Sequence, residues 1–136
     1  MESRSEHVEI EEGPGAESIA LAAVGYLPVL FFLPLLVRKE DEFARFHGKQ
    51  SLVLFLALVA LWVCIWVVDL LFGRILGSML LLGVIFKGLA WFVHNIVGGL
   101  VSLSYIVVMV LGVVQASLGR YWRMPFLGVY AERLRF

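Results

Sequence analysis

A short charged segment, residues 38–49, constrains this chain more than any other feature. It reads RKEDEFARFHGK and carries seven of the chain's 22 formal charges. A twenty-residue uncharged run, residues 18–37, precedes it, and a nineteen-residue uncharged run begins directly after it at Gln50. A helix rises ~1.5 Å per residue, so either run can cross the ~30 Å hydrocarbon core of a bilayer. The pattern therefore predicts two membrane-spanning helices joined by a polar connector.

The composition supports the same class of protein. Hydrophobic residues make up 61% of the 136 residues and charged residues 16%, against about 25% charged residues in soluble domains. A soluble protein of this size could not cover so much apolar surface, so the bilayer must supply part of the solvent. Cys64 is the only cysteine, which excludes a disulfide within the chain.

We therefore predict an all-α integral membrane protein with three transmembrane helices. The predicted spans are residues 18–37, 50–72 and 96–118. Arg74 and Lys87 bracket only twelve uncharged residues, which is too short a run to cross a bilayer. Residues 73–95 are accordingly predicted to be an interfacial or re-entrant helical segment. The alternative is a four-helix membrane bundle in which this segment also crosses.

The two ends of the chain are predicted to lie outside the spans. Residues 1–17 carry six Glu and one Arg and are predicted to form an acidic disordered tail. Residues 18–136 then form a single membrane domain. Its last part, residues 119–136, carries four Arg and one Glu and is predicted to be an interfacial tail.

The distribution of basic residues predicts the orientation. With three spans, the connector and the C-terminal tail share one side and bring eight basic residues to it, against Arg4, Arg74 and Lys87 elsewhere. Basic residues concentrate on the cytoplasmic side of membrane proteins. We therefore predict a multi-pass protein of the cell membrane, with its N-terminus outside and its C-terminus in the cytoplasm.

The third predicted span has one face of small residues. Their spacing of three and four places them on one side of a helix, where they let another helix approach closely. The main members of this stripe are Gly98, Ser102, Gly112 and Ala116. Helix packing is favoured over pore lining. In the first span, Pro28 and Pro34 predict a kinked helix.

Six polar residues in or near the spans are candidates for function: Arg45, His47, Gln50, Asp69, Lys87 and His94. Ionisable groups near the membrane core are functional candidates because burying them is costly. Asp69 is more simply explained as a structural partner of Arg74 or Lys87. His47 is expected to bond a neighbouring helix end, with Phe43 and Phe46 facing the membrane and His47 facing water.

Motifs of known chemistry are absent from the sequence. It holds no HExxH, no phosphate-binding glycine loop and no paired intramembrane acids. No catalytic, cofactor-binding or metal-binding residue is predicted, and the balanced charges argue against nucleic-acid binding. The chain is therefore predicted to be non-enzymatic.

Two stretches resemble a known group of proteins. The segment VRKEDEFARFHGKQ and the later segment LGRYWRMPF resemble a Tic-twenty-like family of small bacterial and archaeal membrane proteins, distantly similar to an import component of the chloroplast inner envelope. The resemblance implies a translocon-like role, with the connector and the C-terminal tail on one side of the membrane. It implies no catalytic residues.

These observations lead to two functional hypotheses. The first is a translocon-like or membrane-assembly subunit that acts through helix packing, with the lipid bilayer and either further copies of itself or another membrane protein as partners. The alternative is a small oligomeric channel or transporter, with the polar cluster around Lys87 in its path.

Overall fold

A computed structural model describes residues 13–37 and 39–135. Residues 1–12 of the predicted tail, together with Arg38 and Phe136, lie outside the described residues. The described part of the chain is helical, with no strand.

The longest helix begins in the connector. The Asp41 carboxylate accepts a hydrogen bond of 3.0 Å from the backbone N–H of Ala44, which satisfies one of the free donors at the start of a helix. Helix α3 then runs from Glu42 to Val68. It continues through a π-helical segment, Asp69–Ile75, and a 3₁₀ turn, Leu76–Ser78. The sequence has no Pro or Gly between residues 50 and 68, so nothing interrupts the helix there.

The chain reverses at residues 79–82 and returns alongside itself. The returning arm consists of α4 (Gly83–Phe92), a π-helical segment (Val93–Val97) and α5 (Gly98–Ser117). A Cβ atom on Gly83 would lie 2.4 Å from the Gly77 carbonyl oxygen. The turn therefore needs glycine here, because any side chain would separate the two arms.

The result is a helical hairpin in which each arm is long and apolar enough to cross a membrane. The arms contain 37 and 35 residues, or ~55 Å and ~52 Å at the rise of an α-helix. Leu80 and Leu81, at the turn, are 97% and 86% exposed. Residues 73–95, predicted as a separate interfacial or re-entrant segment, instead form the end of this hairpin. We call residues 75–86 the tip.

The first uncharged run, residues 18–37, is not one helix. It includes most of α1 (Ala16–Val24) and all of α2 (Phe32–Leu36), which are separated by a turn at Pro28. The ring of Pro34 packs over Gly25, where an added Cβ would lie 2.6 Å from Pro34 Cγ. At nine residues, α1 reaches only ~14 Å, which is less than half the thickness of the hydrocarbon core.

Both ends of this run lie at the same end of the hairpin. The Ser18 hydroxyl donates a hydrogen bond to the Asp41 carboxylate. Pro14 lies beside Gly119, just past the end of α5. The run therefore folds back within this end of the molecule and is not the single continuous helix that the first predicted span requires.

The C-terminal residues close this end of the molecule, which we call the base. Helix α6 (Gly128–Arg133) packs against α3, and Arg123 pairs with Glu132 at 2.5 Å. Residues 119–136 were predicted to form an interfacial tail, and part of that segment is packed into the base. The core of the base is formed by buried residues of the N-terminal region, of α3, of α5 and of the segment after α5: Ala22, Tyr26, Phe43, Leu54, Ala116 and Met124.

Candidate functional site

A buried histidine connects three parts of the base. The Tyr26 hydroxyl lies 2.9 Å from His47 Nδ1, and His47 Nε2 lies 2.9 Å from the Arg120 carbonyl oxygen. A carbonyl oxygen only accepts, so Nε2 carries a proton, and in the neutral ring Nδ1 accepts the Tyr26 hydrogen. Both ring nitrogens are then bonded. His47 is 0% exposed.

Gln50, one turn further along α3, holds the segment after α5. Its Nε2 donates to the Trp122 carbonyl oxygen at 3.0 Å. Its Oε1 accepts from the Met124 backbone N–H at 2.7 Å. The Trp122 carbonyl and the Met124 N–H lie between helices, so no helical hydrogen bond pairs them. The Gln50 side chain pairs both of them inside the protein. We call this set of bonds, made by Tyr26, His47 and Gln50, the basal joint.

Aromatic rings surround the basal joint. The Phe43 and Phe46 rings lie 4.7 Å and 5.2 Å from the His47 ring, centroid to centroid, and Tyr121 contacts both phenylalanines. Phe43 is 3% exposed. The expectation that Phe43 faces the membrane while His47 faces water is therefore wrong. Both side chains point into the base because the C-terminal segment covers them.

Burial lowers the pKa of His47 below its usual value, and the hydrogen bond to the Arg120 carbonyl opposes this shift. His47 lies in the polar first turns of α3, before the apolar run that starts at Gln50. A second proton would sit on Nδ1 and displace the hydrogen that Tyr26 donates. Protonation therefore favours the unfolded chain, in which the imidazole is in water.

We expect the stability of the protein to fall as the pH decreases. With a lowered pKa in the folded state, the contribution of His47 is present above the unfolded pKa of about 6.5 and is lost as the pH falls through the folded value. Thermal unfolding in mild detergent between pH 7.5 and pH 5 measures this. His47→Gln, which cannot titrate, should show a shallower slope, and equal slopes would contradict the assignment.

The small-residue stripe packs within the chain. Ala116 is 0% exposed. A Cβ on Gly98 would lie 3.4 Å from the Trp62 ring, and one on Gly112 would lie 2.4 Å from the Tyr26 ring. Ser102 is half-buried on the same helix. The stripe therefore packs α5 against α3 and against the N-terminal region. These small residues make contacts within one chain, where they are covered by its own side chains.

A second polar site lies far from the base. His94 Nδ1 and Asp69 Oδ2 are 2.5 Å apart, with side chains 46% and 31% exposed. The Trp62 ring approaches His94 edge-on, with centroids 5.7 Å apart. We call Asp69 and His94 the distal pair. The structure gives Asp69 this partner, so the predicted pairing with Arg74 or Lys87 is wrong.

The other two polar candidates are members of neither site. Lys87 is exposed on α4, with its aliphatic stem against Gly77 near the tip. Arg45 is half-buried at the base and donates to the Lys39 carbonyl oxygen at 3.2 Å. It lines a pocket of about 290 Å³ together with neighbouring charged residues of α3 and α6. The channel hypothesis, which depends on Lys87, stays a prediction.

Sequence reasoning did not single out Tyr26 or Ser18. The one signal for Tyr26 is a hydroxyl in an otherwise apolar run, since a buried hydroxyl requires a partner. The partners of His47 and Gln50 after α5 are backbone atoms. Backbone groups carry no sequence signal, so these bonds could not be predicted.

Comparison with known proteins gives a consistent result. The profile of the magnetosome magnetite crystal formation protein family matches residues 16–130. The chain is 34% identical over 123 residues to the magnetosome protein MmsF of Paramagnetospirillum magneticum, covering 88% of this chain and 91% of that protein. It is 33% identical over 124 residues to MamF of the same organism, covering 90% and 91%. MamF of Magnetospirillum gryphiswaldense is 31% identical over 115 residues, covering 85% and 83%. No solved structure matches the chain.

These matches overturn the resemblance to the Tic-twenty-like family, and the protein-transport role that it implied falls with it. The residues that carried the resemblance explain the error. His47 and Gln50 belong to the basal joint. The segment after α5 supplies the backbone atoms to which they bond. These residues hold the C-terminal segment against α3. Contacts of this structural kind do not identify an activity.

Proposed function

Because the chain belongs to the magnetosome magnetite crystal formation protein family, MamF/MmsF, we propose that it acts in magnetite crystal formation as a small, non-enzymatic protein of the magnetosome membrane. The observation that carries the proposal is the family match over residues 16–130, which covers both arms of the hairpin and most of the base. The relatives named above are magnetosome proteins, and each of them matches this chain over most of its length.

The spacing of the polar sites supports a position in the bilayer. His47 and Asp69 are separated by 22 residues along one helical arm, or ~33 Å. This is close to the ~30 Å thickness of the hydrocarbon core. Trp66 and Trp91, near Asp69, are 64% and 62% exposed, as expected of rings at a membrane boundary. The basal joint then lies at one boundary and the distal pair at the other.

The charge distribution supports one orientation. The connector and the residues after α5 carry eight Lys and Arg, whereas the part of the hairpin beyond Val68 carries Arg74 and Lys87. Basic residues favour the cytoplasmic side. The base therefore faces the cytoplasm, and the distal pair and the tip face the interior of the magnetosome. The N-terminal region lies with the base, on the cytoplasmic side.

This arrangement supports a positioning role. A hairpin that is closed at its base and crosses the membrane twice holds the distal pair at a fixed depth, at the surface where the crystal forms. The small-residue stripe is used inside the chain. Assembly with further copies would therefore use the outward apolar faces of the two arms.

Complementation tests the proposal. In Paramagnetospirillum magneticum lacking both MmsF and MamF, expression of this chain should shift the formation of magnetite crystals toward that of the unmodified strain. Electron microscopy of isolated crystals measures their number and dimensions. The family relation is the reason to expect the shift.

The matched control is Gly112→Leu, which should disrupt the base and fail to complement. Gly99→Leu, on the same helix, should complement because a Cβ there meets nothing within 4 Å. Correct insertion of the unchanged protein into magnetosomes, with crystals identical to those of the deletion strain, would refute the proposed function.

A further inference from the structure

A charged pocket at the base adjoins an apolar groove between the two arms. The pocket, of about 290 Å³, has Gln50 and Ala131 in its lining. The groove, of about 380 Å³, has Leu54 and Leu127 in its lining. Leu54 lies one turn beyond Gln50 on α3, and the Ala131 N–H donates to the Leu127 carbonyl oxygen at 3.1 Å, one turn back. One turn is ~5.4 Å, so the two cavities are neighbours on the same two elements.

The groove has the length and the chemistry of an acyl chain. It follows Leu54 to Leu61 on α3 and Val97 to Val108 on the returning arm, or ~11 Å and ~17 Å of helix. Half of the hydrocarbon core of a bilayer is ~15 Å thick. Nine of the eleven residues that line the groove are apolar. In the bilayer position proposed above, the groove therefore lies in the leaflet next to the base, where lipid chains surround it.

Charges of both signs line the pocket. Glu42 and Glu132 are acidic, and Arg45 and Lys49 are basic. On α3, Glu42, Arg45 and Lys49 follow each other at spacings of three and four, which places them on one face. Arginine and lysine form strong hydrogen bonds to phosphate oxygen, and a carboxylate accepts equally strong ones from an ammonium group. A headgroup that carries both a phosphate and an ammonium group complements this lining better than one that is only negative.

We propose that the pocket and the groove together bind one molecule of phosphatidylethanolamine. Its phosphate lies at Arg45 and Lys49, its ammonium group donates to Glu42, and one acyl chain fills the groove. Phosphatidylcholine has no N–H to donate to Glu42, and phosphatidylglycerol has no cation for it. The proposal depends on the position of the hairpin in the bilayer and not on a role in crystal formation.

Native mass spectrometry of the full chain tests the proposal. The protein, purified in mild detergent, is mixed with equal amounts of phosphatidylethanolamine, phosphatidylcholine and phosphatidylglycerol that have identical acyl chains. We expect one bound phosphatidylethanolamine for each chain. Equal retention of the three lipids, retention of none, or a second copy of the chain in place of lipid would overturn the proposal.

A variant that fills the groove tests the place of the acyl chain. Ala57 lines the groove, so the ring of Ala57→Phe should occupy it and abolish retention of the lipid. Ala60→Phe is the matched control, because Ala60 is exposed on the same helix and belongs to the lining of neither cavity. It should retain the lipid as the unchanged chain does, and equal retention by the two variants would place the lipid elsewhere and refute the assignment.

A variant of the headgroup contact keeps the test decisive if Ala57→Phe does not fold. Glu42→Gln, at an exposed position, should lower the preference for phosphatidylethanolamine over phosphatidylcholine by ~10-fold, as expected for the loss of a hydrogen bond between charged groups. Glu40→Gln, two residues earlier and outside the pocket lining, should leave the preference unchanged. Equal preferences in the two variants would contradict the role of Glu42, whereas the complementation result would stand by itself.

Discussion

Replacing Gly112 by leucine is expected to unfold the base of the protein. A Cβ at this position would lie 2.4 Å, 2.7 Å and 2.7 Å from three atoms of the Tyr26 ring. The ring is 2% exposed and its hydroxyl is bonded to His47, so it cannot move without breaking the basal joint. Overpacking of a filled core costs ~1–3 kcal/mol and occasionally more. We expect a loss of at least about 3 kcal/mol, because the collision is with a fixed ring.

Thermal unfolding in mild detergent measures this loss against Gly99→Leu. Gly99 lies on the same helix, is exposed, and has nothing within 4 Å of an added Cβ. The control should match or exceed the stability of the unchanged protein, since leucine favours helix over glycine by roughly 0.5–1 kcal/mol. Two variants that melt at the same temperature would show that α5 does not pack against Tyr26.

The second large effect is expected for Gln50→Leu. This change removes the amide that bonds both the Trp122 carbonyl oxygen and the Met124 N–H. Met124 is 1% exposed, so water cannot replace the lost acceptor. A buried polar group without a partner costs ~1–3 kcal/mol. With two groups affected, we expect a loss of ~2–4 kcal/mol and release of the C-terminal segment.

Gln115→Leu provides the matched control. The Gln115 Oε1 atom is buried without a hydrogen-bond partner among the described residues, so leucine there should be neutral or stabilising. Unfolding temperature and proteolysis after Arg123 measure both variants. If Gln50→Leu were as stable and as protease-resistant as Gln115→Leu, the basal joint would not hold the C-terminal segment.

Run length predicted helix formation well and helix continuity poorly. The uncharged residues 50–68 form continuous helix, as their length indicates. The equally long run 18–37 folds back on itself, because Pro28 interrupts it and the Ser18–Asp41 bond brings its ends together. A count of uncharged residues cannot distinguish a span from a pair of short helices, because both consist of the same kinds of apolar residue.

The charges near the tip do not interrupt the helical arms. Arg74 lies within the π-helical segment that continues α3, and Lys87 lies within α4. Helix continuity depends on backbone hydrogen bonds, and a charge is costly only where it contacts hydrocarbon. The pairing of Asp69 with His94 depends on the position of the turn at residues 79–82, which sequence spacing could not locate.

The candidate site was predicted in part. His47 and Gln50 stood out as polar residues beside an apolar run, and the structure gives both of them buried bonds. Their backbone partners lie 72 to 74 residues further along the chain. Contacts over such separations follow from the tertiary fold, which local patterns do not specify.

Cysteine labelling from each side of the membrane tests the central claim, that one hairpin crosses twice and both chain ends share a side. In a Cys64→Ala background, single cysteines replace Gly13, Leu80 and Arg135, all of them exposed. Membrane-impermeant reagent should label positions 13 and 135 from the cytoplasmic side and position 80 only from the opposite side. Labelling of positions 13 and 135 from opposite sides would contradict the claim.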